Sequence, residues 1–259
     1  MRTFFFRLAR FLGRTVLALA LLLAGPITVL TLGDLDLDGD WRTAGRDATY
    51  VAPDPRDHPE AIVQVWGARA FRWRGAFGLH TWIALKPPYA RNYEVHQVIG
   101  WYGGGGRSTV VSRLDRPDRE WYGAPPSLFA ELRGEAASRA IPKIRRAVAE
   151  YPAATEYVVW PGPNSNSFIA HVARQVPELN VDLPPHALGK DYLVGDWVAP
   201  TPSNTGYQAS LAGLLGITVA KAEGVEVNVL GLAFGWDFDA WALKLPGIGR
   251  LSLADSNNP

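Results

Sequence analysis

The chain has 259 residues, 47% of them hydrophobic and 20% charged, which fits a folded globular protein and excludes a disordered or fibrous one. It has no cysteine, so a disulfide framework, a thiolate metal site and a cysteine nucleophile are all excluded. The net charge is +1, but Arg2, Arg7, Arg10 and Arg14 fall in the first fourteen residues with no acid among them. Without those four of the 26 Lys+Arg the remaining chain is slightly acidic against 25 Asp+Glu. Such a body has no general affinity for nucleic acid.

Residues 15–32 carry no charge and are mostly Leu, Ala, Val and Ile. Eighteen helical residues reach about 27 Å, enough to cross the hydrocarbon core of a bilayer. Arginines precede this run, and Asp34, Asp36, Asp38 and Asp40 follow it. The positive-inside rule then keeps the N-terminus in the cytoplasm and exports the rest. A cleaved signal peptide competes, with Ala18-Leu19-Ala20 as the nearest small-x-small pattern, but the apolar run continues past it. The expected organisation is a basic tail with an anchor or uncleaved signal (1–33), a linker (34–59) and a single α+β exported domain (60–259). Residues 34–40 imitate the start of a calcium loop, but Gly45 stands where a closing bidentate Glu belongs. No metal and no cofactor is expected, and the oligomeric state stays open.

Through the body, residues 61–66, 78–86, 93–101 and 110–113 read as strands. Gly103 to Gly106 is a flexible break that lacks the Lys-Ser/Thr of a phosphate loop. From Gly134, apolar residues at Ala137, Ala140, Ile141, Ile144, Ala147, Val148 and Tyr151 mark a helical stripe that Pro142 interrupts. Residues 157–160 read as a strand. A Pro/Gly elbow follows, then a helix that starts near Ser165 or Asn166 and stops before Pro177, with Phe168, Ile169, Val172 and Val176 buried. Residues 216–221, 225–234 and 242–245 look like antiparallel strands with glycine turns. The fold class is therefore α+β, a small, mostly antiparallel sheet with packed helices behind one N-terminal transmembrane helix.

Three residues line up for chemistry. His80 sits on one strand, His96 on the next, and Ser165 at a helix N-terminus. A hydroxyl attacks only when a base takes its proton, and imidazole does this near neutral pH when a second group orients it. Tyr157, or backbone amides near Asn164 to Asn166, would bind an oxyanion. Ser165 or Asn164 equally suits a helix cap, and His80 equally suits a hydrogen-bonded core position.

The order strand-His, next-strand-His, then Asn164-Ser165-Asn166-Ser167-Phe168 opening a helix resembles the circularly permuted NlpC-type papain-like superfamily. That superfamily includes lecithin:retinol acyltransferase-like and deubiquitinating-type enzymes. The resemblance implies His80 as base, His96 as its orienting partner and Ser165 in the place of the nucleophilic cysteine. A closer resemblance covers most of the body. Gly78-Leu-His80-Thr-Trp-Ile-Ala-Leu-Lys86, Trp121-Tyr-Gly123, Trp160-Pro-Gly-Pro-Asn-Ser-Asn-Ser-Phe168 and Pro184-Pro-His-Ala-Leu-Gly-Lys-Asp-Tyr192 look like the uncharacterised bacterial domain-of-unknown-function family 3750. This implies a bacterial envelope protein, in the inner membrane with one pass and its C-terminal domain on the periplasmic side.

Three functions are compatible with these residues. One is an amide or ester hydrolase or acyltransferase acting on a cell-wall or lipid substrate through Ser165, His80 and His96. The second is a non-catalytic envelope binding module that uses Asn164, Asn166, Tyr157 and aromatic walls such as Trp82 and Trp101. The third is a structural membrane-anchored protein.

Overall fold

The uncharged N-terminal run folds as one helix, α1 (Arg2–Leu32), in the computed structural model, which describes residues 2–253. Over Phe4–Leu32 this helix is long and apolar enough to cross a membrane. Most of it is exposed, but Gly25, Pro26 and Val29 are buried against the body. A Cβ on Gly25 would fall 2.0 Å from Pro246 O, and one on Gly247 (φ +72) would fall 2.8 Å from Pro26 N. Two backbones thus meet with no side chain between them, which only glycine permits.

Residues 34–59, expected as a linker, lie along the body. Thr49 donates its N–H to Asp118 O and Ala52 donates to Asp118 Oδ2, both at 2.9 Å. Arg72 Nε holds Leu37 O at 2.7 Å.

Five strands follow in the first sheet: β1 (Ile62–Arg69), β2 (Leu79–Lys86), β3 (Tyr93–Val98), β4 (Val110–Asp115) and β5 (Ser127–Arg133), ordered β4-β3-β2-β1-β5 and antiparallel throughout. β5 was not expected from the sequence. Because side chains alternate across a strand, each strand feeds both faces. Val63, Val65, Ile83, Leu85 and Val98 pack under α2 (Gly134–Ala149) and α3 (Ser165–Gln175), against Ile144, Phe168, Ile169 and Val172. The opposite face carries Ile62, Trp66, Trp82, Ala84, Tyr93 and Val95. Pro142 lies inside α2, which continues as one helix across it.

Residues 157–160 are not a strand. Val158 donates its N–H to Pro163 O at 2.8 Å, and Asn164 Nδ2 holds Val159 O at 3.0 Å. The segment therefore folds back on its own elbow and has no strand partner.

Past residue 192 a second sheet forms, an antiparallel meander ordered β12-β11-β10-β9-β8-β7-β6. Its strands are β6 (Val198–Pro200), β7 (Gly206–Leu211), β8 (Leu215–Ala220), β9 (Gly224–Val229), β10 (Leu232–Asp237), β11 (Ala242–Leu245) and β12 (Gly249–Ser252). The run 225–234, read as one strand, is a hairpin that turns at Leu230 and Gly231, both at positive φ (53° and 80°). This is the backbone that a tight two-residue hairpin turn requires.

The meander's inner face is polar. Gln208, Thr218, Glu226, Asn228 and Lys244 are all buried. Lys244 Nζ contacts Asp182 Oδ1 and Glu226 Oε1 at 2.8 Å each, and Lys190 Nζ also pairs with Glu226. Arg174, in the last turn of α3, reaches Gln208 Oε1 at 2.9 Å. These bonds fasten the second sheet to the C-terminal end of α3 and to the segment 182–190 that follows it.

Candidate functional site

The site is built where β2 begins and β3 ends. Antiparallel pairing between them starts at Trp82 and Gln97, so the stretch of β2 before Trp82 lacks a neighbour on that side. The N-terminus of α3 fills the gap. Thr81 donates its Oγ1 hydrogen to the Ser165 carbonyl or the Asn166 side-chain oxygen, each at 3.0 Å, and its N–H lies 3.5 Å from Ser165 Oγ.

Asn164 caps α3. Its Oδ1 accepts from Asn166 N (2.9 Å) and Ser167 N (3.3 Å), while Ser167 Oγ accepts from Asn164 N (3.2 Å), a reciprocal capping box. Asn164 Nδ2 donates to Val159 O and Leu188 O. Asn166 Nδ2 donates to Leu79 O and Leu188 O. Both side-chain amides are therefore taken by the protein. So are the N–H groups of Asn164 and Asn166, two of the amides proposed for an oxyanion.

His80 points away from α3, onto the face that carries Trp82. Its ring stacks on Trp121 at 3.7 Å between centroids and 14° between planes, with Trp82 5.8 Å away. Nε2 lies 2.8 Å from Gln97 Oε1. That oxygen only accepts, so Nε2 carries the hydrogen and Nδ1 keeps the lone pair. Nδ1 makes no hydrogen bond among the described residues. Burial lowers the pKa of this imidazole to about 4, against the smaller opposing effect of Gln97.

His96 does not orient His80. Alternation sends it to the opposite face of the sheet from Gln97 and His80. There Nδ1 bonds Ser112 Oγ at 2.7 Å, and Nε2 stands 3.4 Å from Glu94 Oε1. Burial lowers its pKa, with Glu94 pulling the other way. The orienting position belongs to Gln97, and the stacking partner of His80 is Trp121; sequence reading assigned neither. The available signal was the pairing of Trp82 with Gln97, which depends on register and not on composition.

Ser165, 2% exposed, makes no hydrogen bond to either ring nitrogen of His80. Both residues nevertheless line one cavity of about 1160 Å³. Leu79, Trp101, Trp121, Tyr157, Val159 and Trp160 form much of its wall, and Leu19, Leu22 and Leu23 of α1 close one side. Tyr157 lies against Gly100, where a Cβ would fall 2.4 Å from its ring, and burial raises its pKa. Trp82 sits outside this cavity, buried, with Nε1 donating to Pro117 O at 2.7 Å. Trp101 is exposed at the rim and continues the aromatic row at 6.2 Å from Trp121.

Fold and site define an α+β protein with an apolar N-terminal helix and a neutral, glutamine-held histidine at the edge of a large apolar cavity. Residues 60–192 match the family described as "Protein of unknown function (DUF3750)", and the chain belongs to that family. No curated protein and no solved structure matches the chain. The papain-like relationship therefore rests on the local order of residues alone.

Proposed function

We propose that this protein is a membrane-anchored module that binds an amphiphile, with the apolar part in the cavity and a polar group at the His80 end. One observation carries the reading. A cavity of about 1160 Å³ is walled largely by aromatic and aliphatic side chains, three of them from α1, and its lining includes His80, whose Nδ1 makes no hydrogen bond among the described residues. Ligand sites are largely apolar clefts with a few polar groups that fix orientation. α1 supplies the anchor, and its buried residues Gly25, Pro26 and Val29 favour a helix retained in the mature protein. Export of the body to the periplasmic side of a bacterial inner membrane follows from the arginines before the apolar run.

The test uses the full chain in lipid nanodiscs and a fluorescent fatty-acid analogue as the probe. Saturable binding is expected, with affinity at least tenfold weaker in Val159→Trp, which narrows the cavity from a half-exposed wall position. Binding that does not saturate, or is unchanged in that variant, contradicts the reading.

A second reading is Ser/His acyl transfer or hydrolysis of an amide or ester. It is favoured by the tautomer that Gln97 imposes, since the lone pair of Nδ1 is the one a base needs. Against it stand the missing Ser165–His80 bond and a conjugate acid of pKa about 4, weak for taking a hydroxyl proton at neutral pH. Labelling by a fluorophosphonate that disappears in Ser165→Ala and in His80→Ala would establish this second reading; labelling that persists in both, or none in the wild type, removes it.

A further inference from the structure

The second sheet is amphipathic in the reverse sense. Its buried side carries Gln208, Thr218, Glu226 and Lys244, and its apolar side faces out: Tyr207 is 68% exposed, Val219 55%, Ile217 50% and Val227 46%. The register makes this face continuous. Tyr207 pairs with Val219, Ile217 with Val227, and Val227 with Phe234. Within the strands β7 to β10 the only charged residues are Glu226 and Asp237, both buried; the β8–β9 turn adds an exposed Lys221 and a buried Glu223. An exposed apolar surface of this extent marks an interaction site.

The geometry points to the lipid bilayer as the partner of this face. The argument comes from α1. Gly25 and Pro26 pack on the turn between β11 and β12 through the close backbone contacts at Pro246 and Gly247. Gly25 lies seven residues before Leu32, about 10 Å along a helix axis. If residues 15–32 fill the hydrocarbon core, that turn sits roughly 10 Å below the outer edge of the core. The sheet that leaves the turn then starts at leaflet depth, where an apolar outer face is favoured. The sheet rests on this face in the boundary region and does not cross the membrane, because among the described residues its edge strands β6 and β12 keep unpaired backbone groups that lipid would leave unsatisfied. Trp241 and Phe238, exposed in the β10–β11 turn, suit the headgroup level. The sheet lies beyond the residues matched by the family, and the inference is independent of any ligand in the cavity.

The absence of cysteine makes the test direct. Nitroxide labels on Ile217→Cys, Val219→Cys and Val227→Cys are compared with one on Arg139→Cys, on the exposed side of α2, in full-length protein in phosphatidylcholine/phosphatidylglycerol vesicles. Circular dichroism first confirms that each variant folds; three positions keep the test alive if one does not. The expected result is a several-fold higher ratio of collisions with oxygen to collisions with a water-soluble nickel chelate at the sheet positions. Ratios equal to that at Arg139→Cys overturn the proposal. Dipolar broadening that disappears on dilution with unlabelled protein also overturns it, and gives the face to a second copy of the chain.

Discussion

His80 is held neutral by its surroundings, and this has a measurable consequence. Its pKa is lowered to about 4 by burial, and that of His186 to about 3 by burial and by the nearby Arg69. An unfolded histidine titrates near 6.5. Between these values the unfolded chain binds more protons than the folded one, so stability rises with pH. The contribution is complete above about pH 6.5 and is lost as pH falls through 4 for His80 and on toward 3 for His186. Its size is of the order of 3 kcal/mol for a fully buried group such as His80. Urea midpoints measured from pH 7 to pH 4 are expected to fall, and to fall less steeply in His80→Phe. An equal slope in that variant would show that the ring titrates normally. At this scale the sequence was half legible. Asn164 and Phe168 announce a capped helix through local chemistry alone. Gln97 and Trp121 were hidden because their meeting with His80 depends on strand register and on the path of a loop, which residue types do not encode.

Among the elements, the buried charges behind the second sheet have the largest stake in stability. Glu226 accepts from both Lys190 and Lys244 with almost no exposure. Burial alone would raise its pKa, but the two ammonium groups hold it below the ordinary carboxylate value. Removing one partner from such a cluster leaves charge buried and uncompensated, at a cost of about 3–5 kcal/mol. Glu226→Ala is therefore expected to lower the unfolding free energy by that order in urea titration; a loss below about 1 kcal/mol would show that the cluster is hydrated. β2, α2 and α3 were readable because their hydrophobic period matches their secondary structure. Residues 157–160 misled because Tyr-Val-Val-Trp has strand propensity, which the bonds from Val158 and Asn164 override. The β9–β10 hairpin was hidden because Leu230, a bulky residue, takes a positive φ that such residues rarely adopt. The reversed sheet was hidden for a more general reason: period-two alternation gives two faces and does not say which one is the core.

For the molecule as a whole, α1 is a helix apolar enough to cross a membrane and also a wall of the cavity. Leu19, Leu22 and Leu23 close the cavity, while Gly25 and Pro26 fasten the helix to the second sheet. The apolar helix and its charge flanks were plain in the sequence. Its packing against residues 246–248 was not, since that contact joins the two ends of the chain. On the proposed reading, this arrangement sets the cavity beside the place where the chain would enter the bilayer. An amphiphile would enter from the lipid phase with its tail against α1 and its polar group toward Nδ1 of His80. The most direct measurement is native mass spectrometry of the full-length protein released from its own membranes in a mild detergent. The account expects an adduct with the mass of an amphiphile on the wild type, and its loss from a folded Leu23→Trp/Val159→Trp variant. Wild-type protein that leaves the membrane with no adduct, or an adduct that survives the filled cavity, would contradict it.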